Sequence, residues 1–136
     1  MEQSKEILFI EKLSSDTVAQ KIKWERATKH EGFEYDSRPD LAALFMQNEF
    51  RHVDFYDSYF AQISTGFVYL VNVSSESGRD GSRIHGYEFY IEDSDDRLFS
   101  MHAEQGLLYQ LANAIHSYMA IVEKPAEAFI DAYLNS

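Results

Sequence analysis

The sequence predicts an α+β fold: an antiparallel β-meander of four to five strands with N-terminal and C-terminal helices packed on one face. Three observations predict it. Polar and apolar residues alternate, or run as short apolar blocks, at 58–64, 67–73 and 84–92. Short polar stretches with Ser, Gly and Asp separate those runs. Near the C-terminus, Leu108, Leu111, Ile115, Tyr118 and Val122 recur at three- and four-residue steps, the period of one helix face. A chain of 136 residues is read as one domain, 1–136, long enough to bury a core without staples.

The elements follow in order. Residues 3–20 read as a helix with Ile7, Ile10, Val18 and Ile22 on a broad face and Phe9 and Leu13 off it. The rival is a short strand, EILFIEKL, followed by a helix capped at SSDT. In KIKWERA, Ile22 and Trp24 alternate with charges, which suits an edge strand with one buried face. Pro39 is placed to open a short helix, where its missing N–H would be unpaired in any case, with Leu41, Leu44 and Phe45 on its apolar side. SYFAQIS and FVYLVNV form a hairpin around TG. SSESGRDGSR, 74–83, reads as a mobile loop. IHGYEFYIE follows with Tyr87, Phe89 and Ile91 on one face, and RLFSM returns as the next strand. A helix over 103–122 comes next, and a second helical start is expected at Pro125.

Composition narrows the function. With no cysteine, the sequence excludes disulfides, thiolate zinc sites and cysteine nucleophiles, and fits a reducing compartment. The N-terminus lacks the apolar core of a signal peptide, and no stretch approaches the ~20 apolar residues of a membrane span. The expectation is a cytoplasmic protein. Residues 1–29 hold six Lys/Arg against five Asp/Glu, while the remainder holds six against eighteen, giving a net charge of −11. Such a surface disfavours nucleic acid and anionic membranes and admits a basic partner.

A helix leading into KIKWER, a YFAQ strand, GFVYLVNV, YEFYIED with an acidic turn, then LLYQLANAIHSYM and an amphipathic tail make up about 90 residues of pattern. In that order they resemble a loose group of small bacterial and phage-type proteins, typically of unknown function. K-I-x-W-E-R is the most specific step, and the segment from about Gly32 to Tyr56 departs as an insertion. The resemblance implies the α+β layout and a setting in phage, toxin or host-defence biology. It carries over no catalytic residue.

Candidate sites are few. EDSDD places Glu92, Asp93, Asp95 and Asp96 at a turn between two strands, where hydrated acids cost little. A calcium loop counted from Asp93 would have Glu104 at its twelfth position but Leu98 where the sixth-position glycine belongs. No metal site and no cofactor are expected. His30, His52, His85, His102 and His116 show no metal-ligand spacing. RHVD brings His52 near Asp54 and Asp57, the one candidate acid–base cluster, and the fold could add His85 or His102. There is no Gly-x-Ser-x-Gly elbow, and SGRDGS lacks the Gly-Lys-Ser/Thr of a phosphate loop. In DFYDSYF, strict alternation sends Phe55, Asp57 and Tyr59 one way and Tyr56, Ser58 and Phe60 the other.

The function expected from these features is a non-catalytic protein-binding module. An acidic rim of Glu76, Asp80, Glu92, Asp93, Asp95 and Asp96 would steer a basic protein partner, and Phe55, Tyr56, Tyr59 and Phe60 would supply contact area. A homodimer through the 103–122 helix is a further expectation, although packing that stripe on the protein's own sheet is more economical. The alternatives are a metal-assisted hydrolase using His52, Asp54, Asp57 and a second histidine, and an inhibitor that imitates nucleic acid. The second ranks lower because the carboxylates bunch at loop ends.

Overall fold

A computed structural model describes residues 4–27, 39–76 and 83–135. The first helix, α1, spans Lys5–Val18, so the single-helix reading holds. Ser4 starts it: its Oγ accepts the Ile7 N–H at 3.2 Å, satisfying one donor left over in the first turn. The buried stripe is Ile10, Leu13 and Thr17, not the face centred on Ile7 and Val18; Val18 is 70% exposed. A polar link turns the helix this way. Thr17 Oγ1 donates to the Leu13 carbonyl at 2.6 Å and accepts the Trp24 indole N–H at 2.9 Å. The helix stops where Gln20 takes a left-handed φ of 59°. There the Gln20 and Lys21 N–H groups return to the Thr17 and Asp16 carbonyls, a Schellman-type end.

The remaining elements are β1 (Trp24–Arg26), α2 (Pro39–Ala43), β2 (Arg51–Ile63), β3 (Gly66–Glu76), β4 (Arg83–Glu92), β5 (Leu98–Met101) and α3 (Gln105–Leu134). The strands form one sheet in chain order, every pair antiparallel. This is the expected meander, with β1 at an edge. One face carries Trp24, Tyr59, Leu70, Tyr87 and Phe89 beneath α1 and the first half of α3. The other carries Val53, Phe60, Tyr69, Val71 and Val73 beneath Leu41, Leu44 and Phe45 of α2 and the turn after it. The described part of the insertion is therefore a cover for the second face up to residue 50, and from Arg51 onward it is strand. Arg51 fastens the cover. Its guanidinium donates to the Leu44 and Met46 carbonyls and pairs with Glu88 at 2.8 Å.

Three local expectations are corrected. The β2–β3 turn is Ser64–Thr65, with Ser64 at φ 55°, and Gly66 is already paired with Ile63. Gly66 is small because of a neighbour, not because of a turn: a Cβ there would lie 2.1 Å from the Glu92 carbonyl oxygen. Ser74–Glu76 are strand rather than loop, and residues 77–82 of the expected loop, Asp80 included, lie outside the described residues. Finally, α3 is one helix of 30 residues that runs through Pro125 instead of restarting there. Proline removes a bond to the carbonyl four residues back. That residue is Ile121, half exposed. No helix among the described residues is long and apolar enough to cross a membrane.

Candidate functional site

The most elaborate constellation is built on an irregularity in β2. Asp54 pairs with Asn72 and Tyr59 with Leu70, so residues 55–58 stand opposite Val71 alone. Local hydrogen bonds shape this bulge. Asp54 Oδ1 accepts the N–H groups of Tyr56 and Asp57 at 3.0 and 3.1 Å. Ser58 Oγ donates to the Asp54 carbonyl and accepts the Asn72 N–H. Three extra residues are an odd number, so the side-chain parity of β2 reverses across the bulge. Phe55 accordingly stacks on Phe45 at 5.7 Å under α2, whereas Asp57 and Tyr59 face α3. The strict alternation expected for DFYDSYF does not hold.

Asp57 is thereby aimed into a polar network under α3. Its Oδ1 accepts from the Tyr59 hydroxyl at 2.8 Å and pairs with His116 Nε2 at 2.6 Å. Its Oδ2 accepts from Asn72 Nδ2 and from the Tyr87 hydroxyl, both at 2.6 Å. Burial pushes the carboxyl up, but the bonds from Tyr87, His116, Tyr59 and Asn72 outweigh it and hold it below the ordinary carboxylate value. The Tyr59 and Tyr87 phenols move the other way: burial, reinforced by the Asp57 carboxylate, raises both. They stay protonated and keep donating.

Arg26 extends the network to the sheet edge. It lies on the same buried side of β1 as Trp24. Its Nε and Nη2 form a bidentate pair with Glu123 of α3 at 2.9 and 2.8 Å, and Nη1 donates to the Tyr56 carbonyl and the Tyr59 hydroxyl. The Glu123 bonds raise the guanidinium further above its ordinary value against the opposing effect of burial. The Tyr56 ring lies 3.8 Å from the guanidinium carbon. An open groove of about 340 Å³ lies over the ensemble, lined by Arg26, Tyr56, Asp57, Tyr59, His116 and Glu123 with Met119 and Ala120.

Chemically this is a clamp. Each oxygen of Asp57 already has two partners, which leaves no lone pair for a cation. Among the described residues, no group of three or more His, Asp or Glu is arranged to hold a metal. The carboxylate fixes the orientation of the His116 ring, as an aspartate does in a catalytic triad. Among the described residues no hydroxyl nucleophile joins it, because both tyrosines are spent on Asp57. Every buried side-chain nitrogen and oxygen among the described residues has a partner.

The other sequence candidates are scattered. His52 is exposed and its register partner is Ser74, whose partner across the next strand is His85. Two inter-strand steps separate the histidines by about 10 Å, and among the described residues they belong to no group of three or more His, Asp or Glu that could hold a metal. Asp54 serves its own backbone, and His102 is exposed after β5. Tyr59 and Phe60 are buried and Phe55 is half-buried; only Tyr56, at 64%, is well exposed. Glu92 is buried, within 3.3 Å of the Tyr69 hydroxyl. Asp93, Asp95 and Asp96 do form the solvated turn. Asp93 accepts the Arg97 and Asp95 N–H groups and pairs with Arg97, which lowers its carboxyl. Glu76 is exposed at the opposite end of the meander: ten residues of β4 separate the two acidic ends, about 30 Å. They do not make one rim.

A run of exposed apolar side chains lies elsewhere. Met119 is the last core residue of α3. Beyond it, Ile121 is 51% exposed, Val122 44%, Phe129 75%, Ile130 53%, Tyr133 75% and Leu134 72%. Comparison of the chain with protein-family models, curated proteins and solved structures found no significant match. The likeness to small bacterial and phage-type proteins therefore gains no named relative, and function rests on these surfaces alone.

Proposed function

We propose that this protein is a small acidic, non-catalytic protein-binding module of the cytoplasm whose contact surface is the distal half of α3. One observation carries the reading: six large apolar side chains are exposed on one helical segment beyond Met119, the last α3 member of the core among the described residues. Contiguous apolar surface of several hundred Å² is uncommon on a monomer and marks interaction sites. A helix also draws most of its stability from tertiary packing, so a segment beyond the sheet gains by finding another surface. The absence of cysteine supports a reducing compartment, and the net charge of −11 weighs against nucleic acid as the partner. The aromatics of β2 are not part of this surface, because they are committed to the two cores and to Arg26.

Site-specific photocross-linking tests the assignment. A photoreactive residue at position 129 or 133 in the native host should give protein adducts, and one at position 56 should not. Adducts at neither α3 position, or equal yields at all three, would remove α3 as the contact surface.

A further inference from the structure

We infer that the open groove over Asp57 and Arg26 binds a small, uncharged, amino-substituted heteroaromatic compound, its ring stacked on Tyr56 and its amino group donating to His116 Nδ1. This binding goes beyond the protein contact proposed for α3.

The acceptor follows from the clamp. Against the opposing effect of burial, its hydrogen bonds hold the Asp57 carboxyl below the ordinary carboxylate value, so it is ionised at neutral pH. An ionised carboxylate only accepts. The hydrogen in the 2.6 Å contact between His116 Nε2 and Asp57 Oδ1 therefore sits on Nε2. In the neutral imidazole the other nitrogen, Nδ1, then carries a lone pair. Among the described residues Nδ1 has no partner. The His116 side chain is 44% exposed and lines the groove.

Tyr56 supplies the platform. Arg26 covers one face of its ring, with the guanidinium carbon 3.8 Å from the ring centre. The residue is 64% exposed, so the other face is open. A phenol face is electron-rich, and an electron-poor nitrogen heterocycle stacks on it better than a benzene ring does. An amino group on such a ring lies in the ring plane and is a polarised donor, the match for a lone pair.

Charge decides against an anion. Arg26 makes four bonds, to Glu123, the Tyr56 carbonyl and the Tyr59 hydroxyl. That leaves one of its five N–H groups, and a bidentate fork needs two. A phosphate or carboxylate would instead face Asp57 and Glu123 in a chain of net charge −11. Volume sets the size. About 340 Å³ is near the lower end for small-molecule sites, room for one ring system with a modest substituent.

Magnetic resonance titration of the full chain at about pH 8, where an imidazole is ordinarily neutral, tests this with three probes that share one ring. Adenosine should give saturable shifts centred on Tyr56, Asp57 and Ala120, which line the groove, and a nitrogen shift at His116 Nδ1. Purine riboside lacks the amino group and should bind about fivefold to tenfold more weakly. Adenosine monophosphate should also bind more weakly than adenosine, the gap narrowing as salt is raised. Tyr56→Leu leaves the carbonyl that serves Arg26 in place and should weaken adenosine about tenfold. His116→Phe keeps a flat ring and should make adenosine and purine riboside bind alike. No saturable shift up to about 10 mM adenosine, or shifts centred elsewhere, would overturn the groove as a site. Equal binding of adenosine and purine riboside to the wild type would overturn the bond to His116, and an undiminished monophosphate would overturn the uncharged class. Position 56 is where no protein adduct is expected, so this site and the α3 contact fail separately.

Discussion

Arg26 is a charge on the buried side of an edge strand, and its surroundings show why it is tolerated. A buried guanidinium needs a paired carboxylate and filled donors; Glu123 takes two donors, and Tyr56 and Tyr59 share another. In the sequence, Trp24 and Arg26 share strand parity, so an inward-facing arginine was legible there, but its partner 97 residues away was not. Asp57 shows the same limit. Its candidacy came from nearby His52, yet the histidine it meets is His116, on another element. Replacing Asp57 with alanine would strand four donors, so Asp57→Ala should destabilise the fold by about 2–3 kcal/mol in urea denaturation. The pH dependence has a definite sign. A carboxyl whose folded pKa is lowered contributes stability that is fully present above its unfolded value of about 3.9 and is lost as pH falls through the folded value. In acid titrations between about pH 5 and pH 2, wild type should therefore lose more stability than Asp57→Asn.

At the scale of elements, alternation located the strands and failed inside one of them. Period-2 reasoning assumes an unbroken ladder. The three extra residues of β2 break it, and their cause is a set of local bonds from Asp54 and Ser58 that any strand sequence containing these residues could have declined to make. Helix periodicity behaved similarly. It found α3, but a stripe of apolar residues does not report how far it stays buried, and among the described residues of α3 the last buried one is Met119, before Val122. Gly66 illustrates a third case. Glycine after a short turn reads as a turn residue, whereas the contact that requires it belongs to Glu92 at the far end of the next strand, β4. A methyl group at 2.1 Å from a backbone oxygen forces β3 and β4 apart, since no flexible side chain is there to yield. Gly66→Ala should cost about 2 kcal/mol or more in thermal or urea unfolding, although the same change in an exposed turn with open space would be nearly neutral.

For the whole molecule, the sheet is sandwiched between unequal covers: α1 and the first half of α3 on one side, α2 and its following turn on the other. Glu123 in the second half of α3 still reaches Arg26 of β1, while the large apolar side chains described beyond Met119 are exposed. The sequence by itself determined the α+β class, the order of the strands, the helical ends and the solvated Asp93–Asp96 turn, because each rests on local periodicity or turn chemistry within a few neighbouring residues. Only the tertiary structure decided that Asp57 joins His116 and Arg26 joins Glu123, that the acidic ends lie apart, and that the apolar side chains described in α3 beyond Met119 are exposed. Those are distances between segments remote in the chain, set by strand register and by where packing ends, and neither quantity is written in any local stretch.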